Sequence, residues 1–295
     1  MGQFDGLRPA RLKVGIISAG RVGTALGVAL ERVDHVVVAC SAVSEASRQR
    51  AERWLPDTQI ASAPDVAGSA ELLLLAVPDT ELAGLVSGLA ATSAVQPGTI
   101  VAHTSGPNGI GVLAPLTDCI PLAIHPAMTF TGSDDDIARL ADTCFGITAA
   151  DDVGYAVAQS LVLEIGGEPF RIREDARRLY HAALAHAGNH IVTVLADALD
   201  ALRAALPGEL GLDDPDGIAE RIIGPLARAA LENTLEQGQA ALTGPVARGD
   251  VATLASHLAA LDGVAPALAQ AYRDNALRTA QRAHASEAVF EVLAR

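Results

Sequence analysis

"VGIISAGRVGTAL", residues 14–26, is the stretch that decides the fold. It overlaps an apolar run, "LKVGIIS" (12–18), which is typical of a strand buried on both faces. A helical pattern continues to residue 32, and Gly20 and Gly23 lie where the run meets that pattern. The sequence therefore predicts a strand, a tight turn and a helix close to the start of the chain.

The spacing of this turn fits the dinucleotide-binding fingerprint with one departure. Ser18 stands where the first glycine is usual, and its small side chain makes the change tolerable. Gly20 would let the backbone approach a pyrophosphate, and Gly23 would let helix and strand pack closely. The helix N-terminus favours an anion, although a purely structural turn is the alternative. The predicted cofactor-binding residues of this segment are Ser18, Ala19, Gly20, Arg21, Val22 and Gly23.

The remainder of the chain falls into two parts. Apolar strand-like runs alternate with helical segments up to residue 172, which predicts a doubly wound parallel sheet (an α/β Rossmann domain). From residue 173 the pattern is helical and rich in alanine and leucine, with breaks at 206–217 and 243–250. We expect a Rossmann domain at 1–172 and an all-helical domain at 173–295.

Composition narrows the function classes. A formal net charge of −14 disfavours nucleic acid and anionic membranes as partners. The apolar runs are too short to cross a bilayer, and the N-terminal residues lack the apolar core of a signal peptide. The three cysteines are scattered without metal or redox spacing, which suits reduced thiols. We expect a cytoplasmic protein without a metal.

The residues after the second strand bear on the choice of cofactor. An NAD site usually has an acidic residue at that strand end, whereas this chain has Ser41 and Ser44, with Arg48 and Arg50 soon after. Hydroxyl groups and a guanidinium suit the 2′-phosphate of NADP. Glu45 lies beyond the strand end and fits the first turn of a helix. We predict NADP, with Ser41, Ser44 and Arg48 in the site; the alternative is a solvated helix that carries both arginines.

Three loops are predicted at the carboxyl edge of the sheet, where ligands of such folds bind. "VPDT" (77–80) contributes Val77 and Pro78 to the predicted cofactor site, with Asp79 as a helix cap. "HTSG" (103–106) and "HPAMTF" (125–130) each begin with a histidine. A lone histidine at a strand end is often structural, but two on neighbouring loops make a site plausible. We assign Ser105 to the cofactor, His125 to the substrate, and His103 as a reserve catalytic residue.

"LYHAALAHAGNHIV", residues 179–192, predicts a helix with histidines that ordinary packing does not need. Small residues surround His181, which leaves room for a ligand, and Asn189 lies about 80° from it on the helix. A satisfied histidine in a domain interface is the alternative. His186 and His190 have i, i+4 spacing, but no third ligand indicates a metal.

Four motifs follow one another along the chain in an order that is typical of a known family. They are "HTSG", "HPAMTF", "YHAALAHAGNH" (180–190) and "ALTGPVARGD" (241–250). The chain resembles the 6-phosphogluconate dehydrogenase-like oxidoreductases, and within them the Rossmann-like family that includes alternative ketopantoate reductases. The resemblance spans nearly the whole chain. It implies NADPH-dependent reduction of a small 2-keto acid, with 2-dehydropantoate as the leading candidate.

The resemblance also implies roles for individual residues. It places Tyr180, His181 and Asn189 on a helix that faces the nicotinamide. A loop that closes the site would contain Thr243, Gly244, Arg248 and Asp250. From the residues alone, Asp250 is a helix N-cap and Gly244–Pro245 a turn.

The wider superfamily often uses a lysine of this helix as proton donor, but the only lysine here is Lys13. We therefore predict His181 as the acid, because imidazole titrates near neutrality. Asn189 would hydrogen-bond the developing alkoxide, and Arg248 would pair with a substrate carboxylate.

Other functions remain open at this point. The same layout serves imine reductases and prephenate-type dehydrogenases, and a non-catalytic NADP-binding protein is a third possibility. The apolar helices of the second domain also suggest a homodimer that forms through that domain.

Overall fold

An eight-stranded sheet organises the first part of the chain in a computed structural model that describes residues 11–206 and 217–294. Its order is β3-β2-β1-β4-β5-β6-β7-β8. The strands are β1 (Lys13–Ile17), β2 (Val36–Ser41), β3 (Gln59–Ile60), β4 (Leu72–Leu75), β5 (Ile100–His103), β6 (Ile120–Pro126), β7 (Cys144–Ala149) and β8 (Glu168–Arg171).

Strands β1 to β6 run parallel, β7 pairs with β6 in the antiparallel direction, and β8 runs parallel to β7. The predicted Rossmann fold is confirmed, but the sheet is not parallel throughout. The segment between β6 and β7 contains only one short helix, α5 (Asp135–Arg139), besides a single 3-10 turn. A parallel return needs a longer crossover, usually a full helix, so the chain reverses direction here.

Helices cover both faces of the sheet, as a doubly wound fold requires. On one face the core includes side chains of α1 and α6, and on the other side chains of α3 and α4. The helices that accompany the sheet, besides α5, are α1 (Arg21–Glu31), α2 (Glu45–Trp54), α3 (Ala63–Ser69), α4 (Asp79–Ala91) and α6 (Asp152–Glu164).

The start of α4 differs from the prediction. Pro78 is the N-cap, and Asp79 is the first residue of the helix without a capping hydrogen bond. A carboxylate in the first turn still interacts favourably with the positive end of the helix dipole.

The chain divides into two compact units, Met1–His186 and Ala187–Arg295. The predicted boundary at residue 172 follows the end of β8, whereas the first unit continues into α7 (Arg177–Ala205). The reason is that the start of α7 is bound to the first unit: the fully buried Arg177 donates to the carbonyls of Ser105 and Gly106, in the loop after β5, and to that of Gly146 in β7.

The second unit is helical over its described residues. It contains the end of α7 and the helices α8 (Ile218–Gln237), α9 (Pro245–Arg248), α10 (Val251–Val264), α11 (Pro266–Arg282) and α12 (Glu287–Leu293). A small core that includes Leu254, Leu258, Val289 and Leu293 joins α10 to α12. The predicted break at 206–217 falls, but for its two end residues, outside the described residues, as does the N-terminal segment 1–10.

Within residues 11–206 and 217–294, no helix has both the length and the apolar character needed to cross a membrane.

Candidate active site

The turn between β1 and α1 has the backbone shape that the fingerprint requires. Ser18 has φ +79°, in the left-handed region that favours glycine. A non-glycine residue in this region costs about 1 kcal/mol or more. The Ser18 N–H donates to Ser41 Oγ at 2.9 Å and the Ala19 N–H to the Ser41 carbonyl at 2.7 Å. The end of β2 therefore holds the strained turn in place.

The two glycines of the turn face different surroundings. A Cβ on Gly23 would lie 2.3 Å from the Ser18 carbonyl oxygen, so that only glycine fits between helix and strand. A Cβ on Gly20 would meet only Ser18 Oγ, at 3.4 Å. Gly20 has an open side that a ligand can approach, and Gly23 permits the close packing.

A cavity of about 730 Å³ opens beside this turn. Its lining comes from the turn, from the β2–α2 junction and from the β4–α4 loop, at the carboxyl edge of the sheet. Six predicted cofactor residues line it: Ser18, Gly20, Ser41, Ser44, Val77 and Pro78. Among the described residues, Ala19, Arg21, Val22, Gly23, Arg48 and Ser105 are not part of the lining.

The arginine that lines this cavity is Arg50. Arg48 is exposed, and its Nε donates to the Ala42 carbonyl at 3.4 Å. Ser44 caps α2 by accepting from the Ser47 N–H at 3.1 Å. The sequence analysis placed Arg48 in the cofactor site, and the geometry favours Arg50 instead, because the turn of α2 directs Arg50 towards the cavity.

Both ring nitrogens of His103 contact the backbone of the loop that follows it. It is fully buried, Nε2 lies 3.0 Å from the Gly109 carbonyl, and Nδ1 accepts from the Ser105 N–H at 3.2 Å. Burial lowers the pKa of His103 to about 4. With both ring nitrogens occupied by the backbone, we propose that His103 shapes the loop and is not the reserve acid.

Ser105 is also turned into this loop. Its Oγ accepts from the Asn108 N–H at 3.3 Å and from Asn108 Nδ2 at 2.9 Å, and the residue is buried. The hydroxyl thus stabilises the loop, and its predicted contact with a cofactor is not supported by this arrangement.

His125 and His181 come together beside Gly106. Their ring centroids lie 5.8 Å apart with the planes nearly perpendicular, and both rings are partly exposed. A Cβ on Gly106 would lie 2.3 Å from His181 Cδ2 and 3.0 Å from His125 Nε2. The glycine of "HTSG" therefore leaves the space that both imidazoles occupy.

Arg177 binds the backbone of Gly106, the residue beside this pair, and the sequence did not predict it as part of the site. Its guanidinium donates to Ser105 O at 2.8 Å, Gly106 O at 3.1 Å, Thr148 Oγ1 at 3.0 Å and Gly146 O at 3.4 Å. Within the described part of the chain it has no carboxylate partner within 4.0 Å. The available signal was its i, i+4 spacing from His181 on one helical face.

The remaining predicted site residues belong to the second unit. Asn189 is exposed, and its carbonyl accepts from Thr193 Oγ1 at 3.3 Å. Asp250 caps α10 by accepting from the Thr253 N–H at 3.1 Å, which confirms the predicted N-cap. Arg248 donates to the Thr243 carbonyl, and Gly244 is the N-cap of α9. The functional roles of these residues stay predictions.

Two histidines whose pKa values are lowered by burial predict a pH-dependent stability. His103 and His125 both have folded-state pKa values of about 4, below the ordinary 6.5. The unfolded chain therefore binds more protons between these values. We expect the contribution of these two histidines to the free energy of unfolding to be fully present above about pH 6.5. It should decrease as the pH falls towards about 4. Calorimetric Tm values across this range test it, and a constant Tm would contradict it.

Comparison with known domain families gives two matches. Residues 2–126 match the Rossmann-like domain family, and residues 143–279 match a domain of unknown function, DUF2520. The first covers β1 to β6, and the second runs from just before β7 to within α11.

Individual proteins are similar over different lengths. A glycerol-3-phosphate dehydrogenase [NAD(P)+] of Ruegeria sp. (strain TM1040) is 29% identical over 165 residues, about half of each chain (51% and 51%). The crystal structure of a proposed NADP oxidoreductase of Bacteroides fragilis has a TM-score of 0.75 and 20% identity, covering 92% of this chain and 98% of that chain.

Two further solved structures share the fold at lower similarity. A pyrroline carboxylate reductase of Plasmodium falciparum with NADP bound has a TM-score of 0.56 at 12% identity, covering 96% of this chain and 97% of its own. A reductive aminase of Aspergillus terreus in complex with NADPH and ethyl-5-oxohexanoate has a TM-score of 0.58 at 15% identity, covering 95% and 98%. At such identities the likeness concerns the fold alone.

Proposed function

Because this chain joins a Rossmann-like domain to a DUF2520 domain, a combination typical of the NAD(P)-binding 6-phosphogluconate dehydrogenase-like superfamily, we propose that it is an NADPH-dependent oxidoreductase. The resemblance inferred from the sequence is confirmed at the level of this superfamily. The proposed reaction is reduction of a small 2-keto acid, with 2-dehydropantoate as the first substrate to test.

One observation carries the proposal. The open-sided glycine turn with its cavity of about 730 Å³ lies at the carboxyl edge of the sheet. His125, near the carboxyl end of β6, lies at the same edge, and its ring contacts that of His181 in α7. The cavity provides a place for a dinucleotide, and the imidazoles provide groups that donate protons or hydrogen bonds. A site of this kind suits reduction of a polar double bond.

The residues present fit NADPH. Gly20 leaves room for the pyrophosphate, and α1 directs its N-terminus towards the turn. Arg50 lines the cavity together with Ser41 and Ser44, which suits a 2′-phosphate. When bound, NADPH supplies the hydride.

Residues of the chain supply the proton and the hydrogen bonds that the reaction needs. The carbonyl carbon gains the hydride, and the π electron pair of the C=O bond moves to oxygen. Protonated His181 then donates its ring proton to this oxygen, giving the alcohol, and takes up another proton from solvent. In this proposal Asn189 hydrogen-bonds the same oxygen, Arg248 binds the substrate carboxylate, and the segment with Thr243, Gly244 and Asp250 closes the site.

A second candidate is reduction of an imine. Pyrroline carboxylate reductases and a reductive aminase are among the proteins that share this fold. The same imidazole pair could serve a C=N bond. Assays with cyclic imines distinguish this activity from reduction of keto acids.

We also propose a homodimer. Arg177 is the only buried residue of the 29 in α7, and Ala219 the only one of the 20 in α8. Exposed apolar side chains lie along both, including Val192, Val194, Leu226 and Leu235. Such uncovered faces are typical of interfaces between subunits. Sedimentation velocity over a range of concentrations tests the assembly.

The first experiment follows the absorbance of the reduced nicotinamide with 2-dehydropantoate, NADPH and NADH in parallel, beside a binding titration of each cofactor. Oxidation of NADPH with the keto acid supports both reaction class and substrate. Binding without oxidation for any keto acid, ketone or imine would contradict the oxidoreductase proposal and favour a non-catalytic NADP-binding protein.

Arg50 provides a prediction about the cofactor. In Arg50→Ala we expect the Kd for NADPH to rise about 10- to 100-fold, because a charge-assisted contact with phosphate contributes roughly 1.5–3 kcal/mol. The Kd for NADH should change little. Arg48→Ala is the matched control, since that side chain is exposed and does not line the cavity. Equal effects of both variants on NADPH would contradict the assignment.

A further inference from the structure

The His125 ring is held from one side by Tyr180. The Tyr180 hydroxyl lies 2.9 Å from His125 Nδ1, and the two rings meet edge to face with centroids 5.6 Å apart. The space for the phenol comes from Gly146, which pairs with His125 in the β6–β7 register. A Cβ on Gly146 would lie 2.7 Å from the Tyr180 oxygen. Sheet register and a glycine thus build this contact.

The contact determines which ring nitrogen carries the proton. Burial raises the pKa of the Tyr180 phenol, so the hydroxyl stays protonated at neutral pH. An imidazole nitrogen is a better acceptor than a phenol oxygen, so the hydroxyl donates to Nδ1. A neutral imidazole has one donor and one acceptor nitrogen. The proton of His125 is therefore on Nε2.

Nε2 is available to a ligand. Within residues 11–206 and 217–294 it has no hydrogen-bond partner, and it is not among the buried unpaired polar atoms, which there comprise only Thr24 Oγ1. It lies 3.0 Å from the position that a Cβ of Gly106 would take, on the side of the His181 ring. The Nε2–H group therefore borders the space next to the acid.

The charges around His125 favour the neutral ring. Burial, and then the positive charge of Arg177, lower the pKa of His125 to about 4. His181 and His103 act in the same direction, and Asp79 in the opposite one. Among the described residues no carboxylate lies within 4.0 Å of this guanidinium, so no ion pair neutralises its charge near His125. Arg177 thus lowers the pKa of His125, in addition to joining the Ser105–Gly106 backbone to β7 by hydrogen bonds.

We propose that His125 is a second catalytic residue, a neutral imidazole that donates a hydrogen bond from Nε2 to the substrate oxygen or nitrogen, and that Tyr180 and Arg177 are the positioning residues that fix this state. The inference rests on the proposed reduction. The hydride makes the substrate atom negative, Nε2–H stabilises that charge without transferring its proton, and His181 supplies the proton. His125 is thus the same before and after each turnover.

The test has a readout that needs no substrate. Nitrogen NMR of the histidine-labelled protein distinguishes the two neutral tautomers and the imidazolium, and the signal of His125 is identified by its loss in His125→Gln. From about pH 5 to pH 8 we expect a neutral ring with the proton on Nε2. Tyr180→Phe should give a mixture of tautomers. In Arg177→Lys the shorter side chain holds its charge farther from His125, so the pKa of His125 should rise. A thermal melt verifies that this variant is folded.

Kinetics complete the experiment. Loss of one preorganised donor costs about 10²- to 10³-fold in kcat, and we expect this for His125→Ala. His125→Gln should recover part of it, because its amide nitrogen can lie near the Nε2 position. Tyr180→Phe should lower kcat about tenfold with the KM for NADPH unchanged, a loss of about one hydrogen bond. Tyr155→Phe is the matched control, since that ring stacks on Arg171 elsewhere.

The outcomes separate the two proposals. An imidazolium at neutral pH, a proton on Nδ1, or a Tyr180→Phe variant with unchanged spectrum and kcat would overturn the role of His125 even in an active reductase. The expected spectrum in a protein that turns over no carbonyl or imine would instead overturn the proposed reduction, and the catalytic role with it.

Discussion

Replacing His181 by alanine is expected to reduce kcat by about 10²- to 10⁴-fold, the usual contribution of a general acid. The Kd for NADPH should stay the same, because the His181 ring packs against His125 and Gly106 and does not line the cofactor cavity. Removal of the partly exposed ring leaves the buried core intact. Steady-state assays beside a fluorescence titration of NADPH measure both quantities.

His186→Ala is the matched control for this variant. His186 lies on the same helix, is exposed, and is not part of the imidazole pair. We expect its kcat to equal that of the unmodified protein. If His181→Ala retained full turnover, the proton would have to come from another group or directly from water, and the role of acid would be lost for His181.

Replacing Gly23 by alanine is expected to destabilise the protein by about 3 kcal/mol, at the upper end of overpacking effects. The new Cβ would lie 2.3 Å from the Ser18 carbonyl oxygen, 3.0 Å from Ile16 Cγ2 and 3.1 Å from Ala76 Cβ. The first contact is with backbone that is already strained at Ser18, so a side-chain rotation cannot relieve it. Calorimetry should show Tm lower by roughly 5–10 °C.

Gly20→Ala separates packing from binding in the same turn. Its Cβ would contact only Ser18 Oγ at 3.4 Å, so the free energy of unfolding should change by less than about 1 kcal/mol. The Kd for NADPH should rise at least about tenfold, because the methyl group blocks the approach of the pyrophosphate. Similar Tm values for both variants would show that Gly23 is not confined as the structure indicates.

Much of the fold could be predicted because its signals are local. The apolar runs from Val14 to Ile17 and from Leu72 to Leu75 predicted buried strands, and these are β1 and β4. The antiparallel β7 could not be predicted in this way. Strand direction depends on how the preceding connection packs, and an apolar run is the same read in either direction.

The candidate site was predicted in part. His125 and the Gly20 turn followed from residue type and position after predicted strands. His181 was singled out on a predicted helix that has no lysine, and its role as acid came with the family resemblance. Arg48 and Arg50 both carry a positive charge that suits a 2′-phosphate, and only the orientation of α2 shows which of them faces the cavity. His103 looked as available as His125 in the sequence, but its neighbours Ser105 and Gly109 occupy its ring nitrogens.

The sequence by itself determined the glycine turn, the change from strands to helices after β8, and the presence of imidazoles where lysine is usual. These depend on backbone sterics, on periodicity and on residue identity, which are properties of short segments. Only the tertiary structure decided that Arg177 is buried, with no carboxylate of the described residues within 4.0 Å, and that Tyr180 holds His125. Both depend on the register of β6 with β7 and on where α7 begins relative to the sheet. Such contacts join residues far apart in the chain, so burial and charge at the site arise only when those elements pack.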